Sequence, residues 1–279
     1  MENKRILVIG GSGYIGTEVV QVLLNYNYNV TVLSRNPNIG NVKILRGSVL
    51  DKDFLLNTVK GFDLIIYLTA VIRSINKSKY KENVTGLKNL IESMKKNKIK
   101  RLIYFSTQNV LIKKTGEYGD SKKECEKVLI NSDLNYVIIR PNYVYGIDKK
   151  NFFKNLSNII KKFRICFIIA NGENKIQPIN KNDLAKITLD CVKNFKNGLI
   201  LNASGKDIIS INEIIKIISE ETSIKFFRFH IPLLFLKFFK IIIPSDIEGF
   251  TKNRTIKSNN RIHLNSSVKN DLRKIIKLN

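Results

Sequence analysis

Ile6-Leu7-Val8-Ile9-Gly10-Gly11-Ser12-Gly13-Tyr14-Ile15-Gly16 is the stretch on which the fold of this chain turns. Four apolar residues in a row suit a strand buried on both faces. Four glycines in seven residues suit a tight turn. Val19 to Leu24 then begins an amphipathic helical pattern. Strand, glycine turn and helix N-terminus together form a phosphate cradle, because glycines let backbone approach an anion and the helix dipole stabilises its charge. Gly11, Gly13 and Gly16 fit GxGxxG, whereas Gly10, Gly13 and Gly16 fit GxxGxxG. Both spacings point to a pyrophosphate held against backbone amides.

Outward from this stretch, apolar runs recur at Ile6–Ile9, Val30–Leu33, Val42–Leu45, Leu64–Leu68, Leu102–Phe105 and Tyr136–Ile139. Helical patterns lie between them, near residues 14–26, 51–60, 77–98 and 118–131. Continuous apolar strands alternating with helices predict an α/β fold with a doubly wound parallel sheet. Beyond residue 146 the pattern loosens. Helices are expected over Phe152–Phe163, Lys181–Phe195 and Ser210–Glu220, the last with Ser210 as N-cap and Glu213 completing a capping box. A strand is expected over Gly198–Asn202. The expected division is a dinucleotide-binding domain over 1–146, with a return segment about 176–205, and a smaller C-terminal substrate lobe over 147–175 and 206–279.

The 279 residues are 43% hydrophobic, enough for a substantial core, and carry 48 Lys+Arg against 23 Asp+Glu. The net charge of +25 is spread along the chain without a nucleic-acid motif. It suits an anionic small molecule better than nucleic acid. Three cysteines without a CxxC pair, and only two histidines, argue against a disulfide framework or metal site and for a reducing cytoplasm. The chain enters its first strand at once, so no signal peptide is expected. The segment 226–243 is very apolar yet carries Arg228, His230, Lys237 and Lys240. Its charges and length argue against a membrane span. The readings for it are a helix packed in the C-terminal lobe or a basic helix in peripheral contact with a membrane.

Tyr118-Gly119-Asp120-Ser121-Lys122 opens a helical pattern, so Tyr118 and Lys122 share one face at i and i+4. An ammonium beside a phenol lowers the phenol pKa and lets it exchange a proton near neutral pH. Tyr104-Phe105-Ser106-Thr107 precedes it and offers a strand-end hydroxyl to the same substrate oxygen.

The glycine turn, the strand-end hydroxyl and Tyr-x-x-x-Lys, in this order, resemble the short-chain dehydrogenase/reductase superfamily with its Rossmann sheet. The similarity is greatest to the extended branch of NAD-dependent epimerases, dehydratases and nucleotide-sugar reductases. Asn83-Val84-Thr85-Gly86-Leu87-Lys88-Asn89-Leu90 resembles that branch's Asn-Val-x-Gly helix. Ile139-Arg140-Pro141-Asn142-Tyr143-Val144-Tyr145-Gly146 resembles its Arg-Pro-x-x-Val-Tyr-Gly segment. The run from Gln177-Pro178 to Leu184-Ala185 resembles a segment of polysaccharide-pathway reductases and epimerases, with Asn180 where His is usual. Thr107 and Tyr118 are closer together in sequence than extended members usually place them.

The resemblance implies roles. Gly10, Gly13 and Gly16 cradle the pyrophosphate, with Tyr14 and Ile15 supplying amides. Leu68, Thr69 and Ala70 pass the cofactor ribose, and Pro141 and Val144 lie against the nicotinamide. Thr107, Tyr118 and Lys122 are the catalytic set, Lys122 also holding the ribose. Arg35 ends the second strand where an NAD enzyme usually has an acid, so the expected cofactor is NADP, with NAD as the alternative. Asp51 either touches adenine or caps the next helix. No metal is implied. The expected function is an NADPH-dependent reductase of a 4-keto nucleotide sugar. The alternatives are an NAD-dependent 4-epimerase or dehydratase, and a non-catalytic NADP-binding assembly or regulatory protein. The expected partner is a nucleotide-diphosphate sugar, and a homodimer through helices 77–98 and 118–131 is the expected assembly.

Overall fold

The computed structural model describes residues 4–35, 39–113, 115–147, 152–232, 253, 255–256, 258–260 and 262–277. The chain divides into two units, Met1–Arg140 with Leu184–Leu201, and Pro141–Asp183 with Asn202–Asn279.

The first unit is built on β1 (Arg5–Ile9), β2 (Asn29–Ser34), β3 (Lys43–Arg46), β4 (Leu64–Tyr67), β5 (Arg101–Phe105) and β6 (Asn135–Pro141). Helices α1 (Gly16–Asn25), α2 (Lys52–Thr58), α3 (Lys81–Lys96) and α4 (Gly116–Ile130) alternate with them. The sheet has seven strands, ordered from the outermost strand Leu199–Ala203 through β6, β5, β4, β1, β2 to β3. The ladders from β3 to β6 are parallel. Ile6, Leu7, Val8, Ile65 and Ile66 are fully buried, as continuous apolar strands in a covered sheet require. Strand order reverses between β1 and β4, the switch point at which such sheets bind ligands beyond their carboxyl ends. This is a doubly wound Rossmann sheet.

The second unit holds β7 (Val144–Tyr145), α5 (Phe152–Phe163), β8 (Ile165–Ile169), β9 (Lys175–Ile176) and β10 (Ile179–Asn180). The helix α6 (Lys181–Lys193) runs from this unit into the first, and β11 (Leu199–Ala203) is the outermost strand already placed. Then come β12 (Ile209–Ser210), α7 (Ile211–Thr222), β13 (Phe227–Ile231) and a helix over Val268–Lys277. The capping box at Ser210 and Glu213 is present as expected. Phe153, Ile160, Ile168, Ile214, Ile218, Leu272 and Ile276 share one core cluster. The segment 226–243 departs from expectation. Its described part, Phe227–Ile231, is a strand paired in parallel with β8 and not a helix. Phe-Arg-Phe-His-Ile alternates with period two, which outweighed the helical reading. The remainder, 233–243, lies outside the described residues. Among the described residues, no helix is long and apolar enough to cross a membrane.

Candidate active site

At the switch point the glycine turn follows β1. Gly10 has φ +84°, a left-handed conformation that favours glycine. A Cβ at Gly10 would stand 2.9 Å from the Thr69 nitrogen, so the turn after β1 and the loop after β4 touch backbone to backbone. A Cβ at Gly16 would collide with the Gly10 carbonyl oxygen. The Gly10 N–H donates to Leu33 O at 2.8 Å, and Gly13 N–H donates to Gly10 O at 3.0 Å. Ile15 is the N-cap of α1 and supplies no side-chain cap, so an anion suits this helix start. Leu68, Thr69 and Ala70 follow β4 directly and are half-buried; Leu68 N–H donates to Ile9 O at 2.9 Å. The glycine turn and the 68–70 loop are thus one continuous surface.

Ser34 Oγ lies 2.6 Å from Ser12 Oγ, which fastens the tip of β2 to the glycine turn. Arg35 comes next, exposed and without an ion pair among the described residues. Asp51 caps α2, its carboxylate accepting from Phe54 N–H at 2.9 Å.

Lys122 is the centre of the second cluster. It is 2% exposed, and its Nζ donates to Phe105 O at 2.6 Å and to Tyr104 Oη at 3.0 Å. These bonds carry an α4 side chain to the carboxyl end of β5, beside Thr107. Burial pulls the Lys122 ammonium down to about 8, against the opposing pull of Cys125 and Glu126. An ammonium has three donors, so one N–H remains for a ligand. Thr107 is nearly buried, and its Oγ1 accepts from Asn109 N–H at 3.2 Å, leaving its hydroxyl proton to donate elsewhere. Ser106, between Phe105 and Thr107, has a buried Oγ without a hydrogen-bond partner. Tyr118 is half-buried in the first turn of α4 and lies near enough to Tyr104 to help hold that phenol above its usual range, after burial and Cys125.

Three positioning residues carry no role in the sequence reading. Asn83 of α3 clamps the loop after β4, accepting from Val71 N–H at 2.7 Å and donating to Val71 O at 3.1 Å. It also donates to Ser121 Oγ at 3.0 Å, and Ser121 donates to Tyr118 O at 2.7 Å. Asn83 therefore links the 68–71 loop to the turn bearing Tyr118. Arg140 makes a two-pronged ion pair with Glu126, one prong at 2.9 Å, which fixes α4 on β6. Tyr104 is the third, as the Lys122 acceptor. Asn83 and Arg140 stood inside quoted motifs; only Tyr104 gave no signal beyond its strand.

Pro141 and Val144 fall in the second unit, Pro141 closing β6 and Val144 pairing with Ile179 in β7–β10. Asn180 is buried. It donates to Asp271 Oδ2 at 3.0 Å and accepts from Asn182 N–H at 2.9 Å. The replacement of the usual His is thus absorbed by an internal bond.

The description NAD(P)H-binding belongs to the family model that matches residues 10–194, well over half of this chain. The chain belongs to the NAD(P)H-binding family. It is an enzyme of the short-chain dehydrogenase/reductase type, and the relatives it matches include proteins named as sugar 4-epimerases and as sterol and hydroxysteroid dehydrogenases. The N-acetyl-alpha-D-glucosaminyl-diphospho-ditrans,octacis-undecaprenol 4-epimerase of Escherichia coli O157:H7 is 24% identical over 255 residues, 82% of this chain and 76% of that one. A putative UDP-glucose 4-epimerase of Methanocaldococcus jannaschii is 29% identical over 252 residues, 77% of this chain and 82% of that one. Two further relatives are longer, the match covering 60% and 53% of their lengths. The solved structure of MoeE5 in complex with UDP-glucose and NAD has the same fold, with a TM-score of 0.79 at 18% identity over 98% of this chain and 97% of that one. The family's dinucleotide fits the residues present. The glycines let the turn pack backbone to backbone against the loop after β4 and leave the start of α1 without a side-chain cap, and the spare Lys122 donor and the orphaned Ser106 hydroxyl both stand at the carboxyl end of β5.

Proposed function

We propose that this chain is an NAD-dependent 4-epimerase of a nucleoside-diphosphate sugar. The observation that carries the reading is Lys122, buried and pinned at the end of β5 one helical turn from Tyr118, with one donor to spare. Two relatives named as sugar 4-epimerases, matched over most of their lengths, support it.

Gly10, Gly13, Tyr14, Ile15 and Gly16 hold the pyrophosphate, and Leu68 to Ala70 line the ribose. A dinucleotide held there would supply the hydride acceptor for the sugar carbon and the donor for its return. Thr107 donates to the C4 oxygen and orients it. Tyr118, one helical turn from Lys122, removes the C4 hydroxyl proton as the carbonyl forms. It gives the proton back when the sugar has presented its other face, so there is no net oxidation. Lys122 also holds the nicotinamide ribose with its third N–H. The second unit is the substrate lobe, and Pro141 and Val144 keep the role toward the nicotinamide that the resemblance implies. The intact Thr107, Tyr118 and Lys122 set makes the non-catalytic alternative unnecessary. The three cysteines are buried thiols, which suits a reducing compartment such as the cytoplasm.

A second reading, reduction of a 4-keto nucleotide sugar by NADPH, rests on Arg35, since an exposed guanidinium without an ion pair among the described residues suits a 2′-phosphate. Incubation with UDP-glucose or UDP-N-acetylglucosamine and NAD, followed by proton NMR, separates the two. Epimerisation at C4 without accumulating NADH supports the first reading. Turnover only when a 4-keto sugar and NADPH are both supplied supports the second.

A further inference from the structure

In the second unit β8 and β13 form a two-stranded parallel ribbon, with Phe229 opposite Phe167. Strand side chains alternate between faces. Cys166 and Ile168 therefore point one way, and both are almost fully buried in the core. Phe167 points the other way, together with Phe227 and Phe229 of β13. These three are 63%, 73% and 49% exposed, and the rings of Phe167 and Phe229 pack at 5.8 Å. Phe163, the last residue of α5, is also exposed. A contiguous exposed aromatic face of this kind marks an interaction surface.

The charge around it selects the partner. Lys162 and Arg164 lead into β8 and Lys225 stands just before β13, all three exposed, whereas Arg228 shares the other face of the ribbon with Cys166. No Asp or Glu occurs from Phe152 to Gly172 or from Ser223 to Ser245. A second copy of this face would bring cations against cations, which opposes docking. An anionic bilayer offers phosphates to the cations and an apolar boundary to the rings, the pairing that holds peripheral proteins at membranes.

We propose that the β8–β13 ribbon seats this protein on anionic phospholipid membrane, with Phe167, Phe227 and Phe229 at the headgroup–acyl boundary. The inference is independent of the catalytic reading. The test is co-sedimentation of the full chain with vesicles of equal parts phosphatidylglycerol and phosphatidylcholine, against phosphatidylcholine alone. Binding is expected to the anionic vesicles only. The double substitution Phe167→Ser and Phe229→Ser should weaken it about tenfold or more, with the thermal melt unchanged. A wild-type chain that stays in the supernatant overturns the proposal. So does a double variant that binds as the wild type, since net charge alone would then explain binding. A wild-type dimer that the double variant makes monomeric assigns the face to a second copy instead. The chain has no tryptophan, so Phe229→Trp keeps the ring and gives a single reporter. Its emission should shift to the blue on anionic vesicles and be quenched by brominated lipid; an unshifted, unquenched signal counts against the proposal.

Discussion

Lys122 in the first unit and Asp271 in the second are charged groups buried in polar clusters, and the two clusters are completed differently. In the first, Lys122 donates to Phe105 O and Tyr104 Oη and keeps a third N–H, while the adjoining Ser106 hydroxyl has no partner. In the second, Asp271 takes hydrogen bonds from Tyr145 Oη at 2.8 Å and Asn180 Nδ2 at 3.0 Å on one oxygen. It also sits in the first turn of its own helix, where a carboxylate is favoured. Burial and Asp271 hold the Tyr145 phenol above its usual range, so it stays a donor. A buried polar group with unused hydrogen-bonding capacity is costly unless a ligand completes it. A cluster whose donors and acceptors are matched ties strands to a helix. The first arrangement belongs to chemistry and the second to the fold.

That contrast breaks most visibly at Tyr118. Tyr118→Phe should lower kcat about 10²- to 10⁴-fold while dinucleotide affinity, measured by calorimetry, is retained. Turnover near the wild-type level would remove the proton-transfer role. Next in size is Gly16→Val, which forces a side chain into the Gly10 carbonyl. It should abolish dinucleotide binding and destabilise the first unit by about 1–3 kcal/mol, read from binding and urea unfolding. Asp271→Ala should separate the two readouts. Stability falls by about 1–3 kcal/mol, because Tyr145 and Asn180 lose their acceptor, and dinucleotide affinity holds.

A finer test uses the proton on Lys122. Its folded pKa is lowered from 10.5 to about 8 by burial. Below about pH 8 the folded and unfolded chains are both charged there, and the burial penalty is present in full. Between about 8 and 10.5 the unfolded chain holds more protons, so this group makes stability rise with pH. Lys122→Met should erase that rise, leave Tm at pH 7 unchanged or higher, and abolish activity. A clear loss of stability at pH 7 would place Lys122 among the structural groups. The smallest effect belongs to Asp51→Ala, which should cost about 1 kcal/mol as a lost helix cap without changing dinucleotide affinity. A weakened affinity would return Asp51 to the adenine site.

The same contrast explains what the sequence disclosed. In the first unit each buried strand is an unbroken apolar run, and the glycine turn and Tyr118–Lys122 spacing carry their chemistry in residue type. The sheet and the candidate set were therefore legible. Tyr104 was not, because a tyrosine in a strand reads as core. In the second unit the bonds join residues far apart in sequence. Nothing local links Asp271 to Tyr145 or explains Asn180. The alternation in Phe227–Ile231 was visible but submerged in a longer apolar segment, and its partner β8 follows closely on α5.

The central claim is an NAD-retaining epimerase, and the most direct measurement is the dinucleotide released on denaturing the purified chain, identified by mass spectrometry. The account predicts NAD in near-stoichiometric amount that survives dialysis. A chain that instead acquires only NADP(H), and loses it on dialysis, would contradict the epimerase and assign Arg35 to the 2′-phosphate.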